Sequence, residues 1–164
     1  MHDIKNKIKY SRIRANNLDD LVELIKLYEN VFEMKQFQYP SSNYLKKILK
    51  NENTIFMVAK YEEEIIAGLT AHQLPSTYFE ANEVYVYDLA VNKNFQRRGI
   101  GTRLIDELKK ISCNSGDKEI FLQADIEDKY AIEFYKKIGG IPENVIHFSF
   151  SCNRSNKKNN SVSL

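Results

Sequence analysis

A strand-like run, a short glycine loop and a helix-like run follow one another between Val84 and Ser115. The run Val84-Tyr85-Val86-Tyr87-Asp88-Leu89-Ala90-Val91 is rich in aromatic and β-branched residues, which favour strands. Gln96-Arg97-Arg98-Gly99-Ile100-Gly101 follows. Thr102 to Ser115 then carries Leu104, Ile105, Leu108 and Ile111 at helical spacing. A strand feeding a helix through so short a loop commits this region to α/β structure. It also aims several backbone N–H groups at one point, where the helix N-terminus adds partial positive charge. That combination suits an anion, most often phosphate. Arg97, Arg98 and Arg103 add formal charge around it. A Cβ at either glycine would crowd an approaching phosphate or forbid the φ/ψ values needed. Two glycines before a helix are also ordinary turn chemistry, and the spacing alone does not separate the two readings. It matches neither the Rossmann fingerprint nor the P-loop, so a dinucleotide or nucleoside triphosphate is not the natural ligand.

The other elements follow from periodicity. Lys7 to Arg14 reads as a first strand. Asn17, with Asp20 three residues on, reads as a cap for a helix that runs through Leu18, Leu21, Val22, Ile25, Tyr28 and Phe32. Ser42 or Asn43 caps a second helix, Tyr44 to Lys50. Thr54 to Tyr61 and Glu64 to Leu74 form a hairpin through Glu62-Glu63, and Glu83 to Val91 is the next strand. Gly116 is placed to end the glycine-loop helix. Glu119 to Ala124 is a strand, Asp128 to Gly139 a helix and Val145 to Phe150 a last strand. The sum is a mixed α/β sheet of about six strands with about four helices.

With 164 residues the chain is expected to form one domain, 1–150. Residues 151–164 are rich in Ser, Asn and Lys and read as a disordered tail. No apolar run reaches a membrane span and the N-terminus has no signal-peptide pattern, which together suggest a cytoplasmic protein. Cys113 and Cys152 stand alone, so neither a disulfide nor a metal site is expected. The net charge is +2 with lysines and acids interleaved, unlike a nucleic-acid footprint.

Three pieces in order resemble the GNAT superfamily of acyl-CoA-dependent N-acyltransferases: the strand ending Leu89-Ala90-Val91, the loop Gln96 to Gly101, and Asp128-Lys129-Tyr130-Ala131-Ile132-Glu133-Phe134-Tyr135 running on to Gly139. The resemblance spans roughly Ile8 to Phe150. Val84 to Val91, Gln123-Ala124-Asp125 and His147-Phe148 are most similar to the aminoglycoside 3-N-acetyltransferases of that superfamily. The resemblance implies a splay between the fourth and fifth strands and acetyl-CoA as co-substrate, with no metal. It implies a small cationic amine as acceptor, with neither nucleic acid nor membrane as partner, and a possible homodimer.

It also distributes roles. The N–H groups from Arg97, Arg98, Gly99, Ile100, Gly101 and Thr102 would hold the coenzyme A pyrophosphate, with Gln96 also on the cofactor side. The backbone of Leu89, Ala90 and Val91 would pair with the pantetheine amides, although these side chains also suit a core. Tyr135 would protonate the departing thiolate; on an amphipathic helix it could equally be core. Asp128 and Ala131 would flank the cofactor, and Asp128 also reads as a helix cap. Asp88, Asp125, Glu83, Glu127 and His147 are candidates to accept the amine proton. Simple alternation puts Asp88 on the strand face opposite Tyr85, Tyr87 and Leu89, where it reads equally as a buried structural acid. Asp125 would face the mouth of the site or make a turn. Glu83, Tyr85, Asp125 and Glu127 would meet the cationic acceptor. His72 reads as structural. Lys129 and Pro40-Ser41-Ser42-Asn43 stand where the aminoglycoside enzymes carry further acids.

Overall fold

The computed structural model describes residues 7–151. Five strands form one sheet in the order β1 (Lys9–Arg12), β2 (Thr54–Tyr61), β3 (Glu64–Pro75), β4 (Asn82–Val91) and β5 (Glu119–Leu122). The first three pairings are antiparallel; β4 and β5 run parallel. The β2–β3 hairpin turns through Glu62 and Glu63, both at positive φ, as a tight two-residue turn requires. Four helices accompany the sheet: α1 (Leu18–Val31), α2 (Ser42–Leu49), α3 (Ile100–Ser115) and α4 (Lys129–Lys137). Ser41, one residue earlier than expected, caps α2 by accepting the Tyr44 N–H at 3.3 Å.

Each sheet face has its own core. Leu21, Leu24 and Leu27 of α1 and Leu45 and Leu49 of α2 pack on Phe56, Val58, Ile65 and Ala90. On the other face Ile100, Leu104, Ile105 and Leu108 of α3 pack on Met57, Leu69, Ala71, Val84 and Val86. Leu104 and Leu108 have no exposed surface, so trimming either to Ala would cost about 2–5 kcal/mol.

Two expectations are corrected. Val145 to Phe150 is not a strand: Ile141 to Phe150 carries no regular structure, and Ile141, Val145, Ile146, Phe148 and Phe150 are 70–88% exposed. A strand exists only with a partner edge, and within the chain this segment has taken none. The tail from Cys152 lies outside the described residues, as do residues 1–6. The second correction concerns β4, where the ladder shifts between Thr70 and Ala71 of β3. Thr70 faces Asp88 and Ala71 faces Val86, so Tyr87 is an extra, bulged residue. The bulge changes the parity of the strand. Asp88 then shares its face with Thr70, His72 and Tyr85, not with Val84 and Val86, and it remains opposite Leu89.

Candidate active site

The parallel pairing of β4 with β5 ends at Val86 and Leu122, while β4 continues to Val91. From Tyr87 onward its second edge therefore has no strand beside it. Along that edge alternate N–H and C=O groups point away from β3. The expected splay is this opening, and Leu89, Ala90 and Val91 line it.

The glycine loop closes one end of the opening. A short 3₁₀ turn, Lys93–Phe95, follows β4. Gln96 then donates its side-chain amide to the Val91 carbonyl at 3.2 Å, tying the loop to the strand end. Arg97 adopts φ 61° and Gly99 φ 80°, both left-handed. Gly99 is the N-cap of α3, and no side chain caps that helix. The first helical bond runs from the Arg103 N–H to the Gly99 carbonyl at 3.0 Å. The N–H groups of Ile100, Gly101 and Thr102 thus point out of the helix end, where an anion is favoured. A Cβ on Gly99 would meet nothing within 4 Å, so this approach is open.

The arginines are partly committed elsewhere. Arg97 lies over the Tyr130 ring of α4 at 4.8 Å. Arg98 donates to the Asn94 carbonyl at 3.1 Å and covers Phe95, and Arg103 pairs with Glu107 at 2.8 Å. Gly101 has a second task. A Cβ there would stand 3.2 Å from the Phe134 ring and 3.7 Å from Val91, so α3, α4 and the end of β4 meet at this residue.

Helix α4 brings Tyr135 to the same region. Asp128 caps the helix, accepting the Ala131 N–H at 2.9 Å, so its cap reading holds. Tyr135 is half-buried, and burial, with a smaller contribution from the Asp128 charge, pushes its phenol up to about 12. The hydroxyl stays protonated at physiological pH and can act as a proton donor.

Asp88 sits on the other side of the β4 edge, towards α1. Opposite it, Thr70 shares a 2.9 Å hydrogen bond with the buried Tyr28 hydroxyl. Burial raises the Asp88 carboxyl above its ordinary range. A partly desolvated carboxylate of raised pKa is a better proton acceptor than a solvated one. Asp88 thus lies on the α1 face of the open strand, and Tyr135 follows Phe134 on the helix that meets α3 and the end of β4 at Gly101.

The remaining candidates divide. Asp125 and Glu127 are exposed in the loop after β5, where Asp125 accepts the Glu127 N–H at 2.9 Å and so makes the turn. Glu83 and Tyr85 lie on the α1 side of β4, and Tyr85 donates to the Gln123 side-chain oxygen at 3.4 Å. His147 is exposed on the segment after α4 and is not drawn into the opening. Sequence reasoning missed Thr70 and Tyr28 as the surroundings of Asp88, and His72 as a neighbour of Tyr87, with ring centres 6.0 Å apart. A bulge carries no one-residue signature, so the sequence offered no sign of these groupings. Among the described residues no group of three or more His, Cys, Asp or Glu could hold a metal ion, and no helix is long and apolar enough to cross a membrane.

Known proteins agree with this architecture. The acetyltransferase (GNAT) family model matches residues 18–140. An aminoglycoside acetyltransferase, meta-AAC0020, from an uncultured soil metagenomic sample, solved with trehalose, is 40% identical over 92% of this chain and 100% of its own, with a TM-score of 0.90. A second structure of that enzyme contains sisomicin and is 39% identical with the same TM-score. A further soil enzyme described as an aminoglycoside acetyltransferase, HMB0005, is 34% identical over 89% of this chain and 99% of its own, at 0.84. Among curated proteins, an uncharacterized N-acetyltransferase of Methanocaldococcus jannaschii is 27% identical over 84% of this chain; the match spans 63% of that protein's length. An N-alpha-acetyltransferase of Sulfurisphaera tokodaii is 27% identical over 81% of each chain. This chain belongs to the GNAT acetyltransferase family, and the resemblance read from its motifs is borne out.

Proposed function

We propose that this GNAT acetyltransferase transfers acetyl from acetyl-CoA to the 3-amino group of an aminoglycoside. The observation that carries the reading is the match over 92% of the chain, at 40% identity and TM-score 0.90, to an aminoglycoside acetyltransferase, also solved with sisomicin. The uncapped α3 N-terminus and the open β4 edge fit coenzyme A. The N–H groups from Arg97 to Thr102 would take the pyrophosphate, Leu89 to Val91 the pantetheine amides, and Asp128 and Ala131 would flank it. Acetyl-CoA supplies an activated acyl group.

The protein's own groups then do four things. The loop and the strand edge hold the donor in place. The Leu89 N–H donates to the carbonyl oxygen as it gains charge. Asp88 accepts the amine proton as the C–N bond forms. Tyr135 gives its proton to the sulfur as the C–S bond breaks. Both groups return to their resting states by exchange with solvent. Glu83, Tyr85, Asp125 and Glu127 would face the cationic acceptor. Acetylation of an aminoglycoside ammonium removes a charge, and in a cytoplasmic enzyme resistance would follow. A homodimer belongs to the same reading, supported by the exposed apolar segment after α4.

A second reading, acetylation of a protein N-terminus or lysine, has the Sulfurisphaera tokodaii N-alpha-acetyltransferase in its favour. A polyamine acceptor would use the same acids. A non-catalytic coenzyme A module would have no need of Tyr135. Coenzyme A release, measured with gentamicin, sisomicin, spermidine and peptides, separates these readings. We expect transfer to the aminoglycosides, with the acetyl group located on the 3-nitrogen by NMR. Brisk transfer to a peptide and none to any aminoglycoside would establish the second reading instead.

A further inference from the structure

The α1 side of the sheet is only half covered. Helices α1 and α2 pack on Ile13, on β2 and on the hairpin-proximal ends of β3 and β4. Beyond them the register lines up side chains in rows across three strands. His72 of β3, Tyr85 of β4 and Phe121 of β5 form one row. Leu74, Glu83 and Glu119 form the next row outward; Thr70 and Asp88 form the next inward. The rings are in contact: Tyr85 and Phe121 have centres 5.2 Å apart. The bulged Tyr87, 65% exposed, stands at nearly a right angle to both His72 and Tyr85, at 6.0 and 5.8 Å. Burial lowers the pKa of His72, so its ring is neutral at physiological pH.

Four rings therefore meet on open surface, with carboxylates in the rows on both sides and no Lys or Arg in any of these three rows. Aromatic faces attract ammonium groups, more strongly when the site is partly desolvated. An apolar ligand would gain nothing from the flanking carboxylates, and an anion would be repelled by them. We infer that His72, Tyr85, Tyr87 and Phe121, flanked by Glu83 and Glu119, form a subsite for a second, non-reacting ammonium group of the acceptor, making the enzyme selective for polyamines over monoamines. This rests on the acetyl transfer proposed above, with Asp88 at the reacting amine. At about 3.3 Å per residue along a strand, the ring row lies roughly 7–10 Å from Asp88 and the Glu83–Glu119 row about 7 Å further. The subsite thus takes amines spaced along an amino sugar or a polyamine. It also supplies the attraction for a polycation that the residues at 40–43 and Lys129 do not.

The test uses the full chain saturated with coenzyme A and titrated calorimetrically with spermidine, alongside kinetics with spermidine and n-butylamine. Tyr87→Leu keeps a bulky apolar side chain but removes the ring, whereas Tyr87→Phe keeps the ring. We expect Tyr87→Leu and Phe121→Leu to weaken spermidine binding about tenfold and Tyr87→Phe to stay within about twofold of wild type. The ratio of kcat/KM for spermidine over butylamine should fall about tenfold in Tyr87→Leu, through KM more than kcat. Equal spermidine affinity in the Leu and Phe variants, an unchanged ratio, or no binding by the wild type would overturn the subsite. Ring-dependent spermidine binding without turnover of any amine would retain the subsite and refute the transferase reading.

Discussion

Asp88 shows how one extra residue in a strand can create a candidate base. Without the bulge at Tyr87, Asp88 would have lain on the α3 side with Val84 and Val86, inside an apolar core. The bulge turns it to the α1 side, beside Thr70 and Tyr28, where burial raises its pKa while the residue stays partly exposed. A carboxyl whose folded-state pKa exceeds its unfolded value stabilises the fold fully only below the unfolded value. That contribution is lost as pH rises through the folded value. At pH 7 the Asp88 charge is therefore a cost, and Asp88→Asn should raise the melting temperature while lowering kcat about 100-fold or more. The acid limb of kcat/KM against pH, lying above the ordinary carboxylate range in wild type, should disappear in this variant. A variant that melts lower and keeps the limb would return Asp88 to a structural role. Tyr135 makes the complementary case. With its phenol pushed up to about 12, it should impose no alkaline limb below about pH 10. Tyr135→Phe should lower kcat about 100-fold with little change in coenzyme A affinity; unchanged turnover would make it a packing residue.

At the scale of elements, the two glycines of the loop differ in their surroundings. Gly99 holds φ 80° in open space, so Gly99→Ala strains the backbone by about 1 kcal/mol and leaves neighbouring elements alone. Gly101 sits where α3, α4 and β4 converge, so Gly101→Val drives a side chain into Phe134, next to Tyr135. We expect Gly99→Ala to weaken coenzyme A binding with kcat nearly intact, and Gly101→Val to lower both affinity and kcat. Calorimetry and steady-state kinetics on the two variants distinguish them, and matching profiles would show that the loop acts as one unit. The loop itself was readable from sequence because glycine and helix-start signals are local. So were Thr54–Tyr61, whose apolar run is continuous, and Asp128 as a cap. The bulge, the face on which Asp88 lies and the ring row across β3, β4 and β5 were not. They depend on which residues of three separated strands stand opposite one another, and no single segment encodes that register.

At the scale of the whole molecule, the sheet is apolar on both faces where helices cover it, and the segment after α4 is apolar where nothing does. Ile146, Phe148 and Phe150 alternate as a strand would, and with Val145 they are 70–88% exposed. Beside the opening, β5 has only four residues and pairs with β4 alone among the described strands. A strand former without an edge and an edge without a strand are complementary within the same sequence. In a dimer with two-fold symmetry the contact is made twice. Burying four such side chains per protomer would gain about 12–24 kcal/mol gross. Association costs about 4–15 kcal/mol, which leaves room for a dimer of micromolar affinity or better. Sedimentation equilibrium should therefore show a dimer for the wild type. Phe148→Asp combined with Phe150→Asp should give a monomer with an unchanged circular-dichroism spectrum, since neither ring belongs to either core. If this double variant still sediments as a dimer, the contact lies on another face. If the wild type is monomeric at about 100 µM, the segment is solvated despite its composition, and the splayed site functions within one chain.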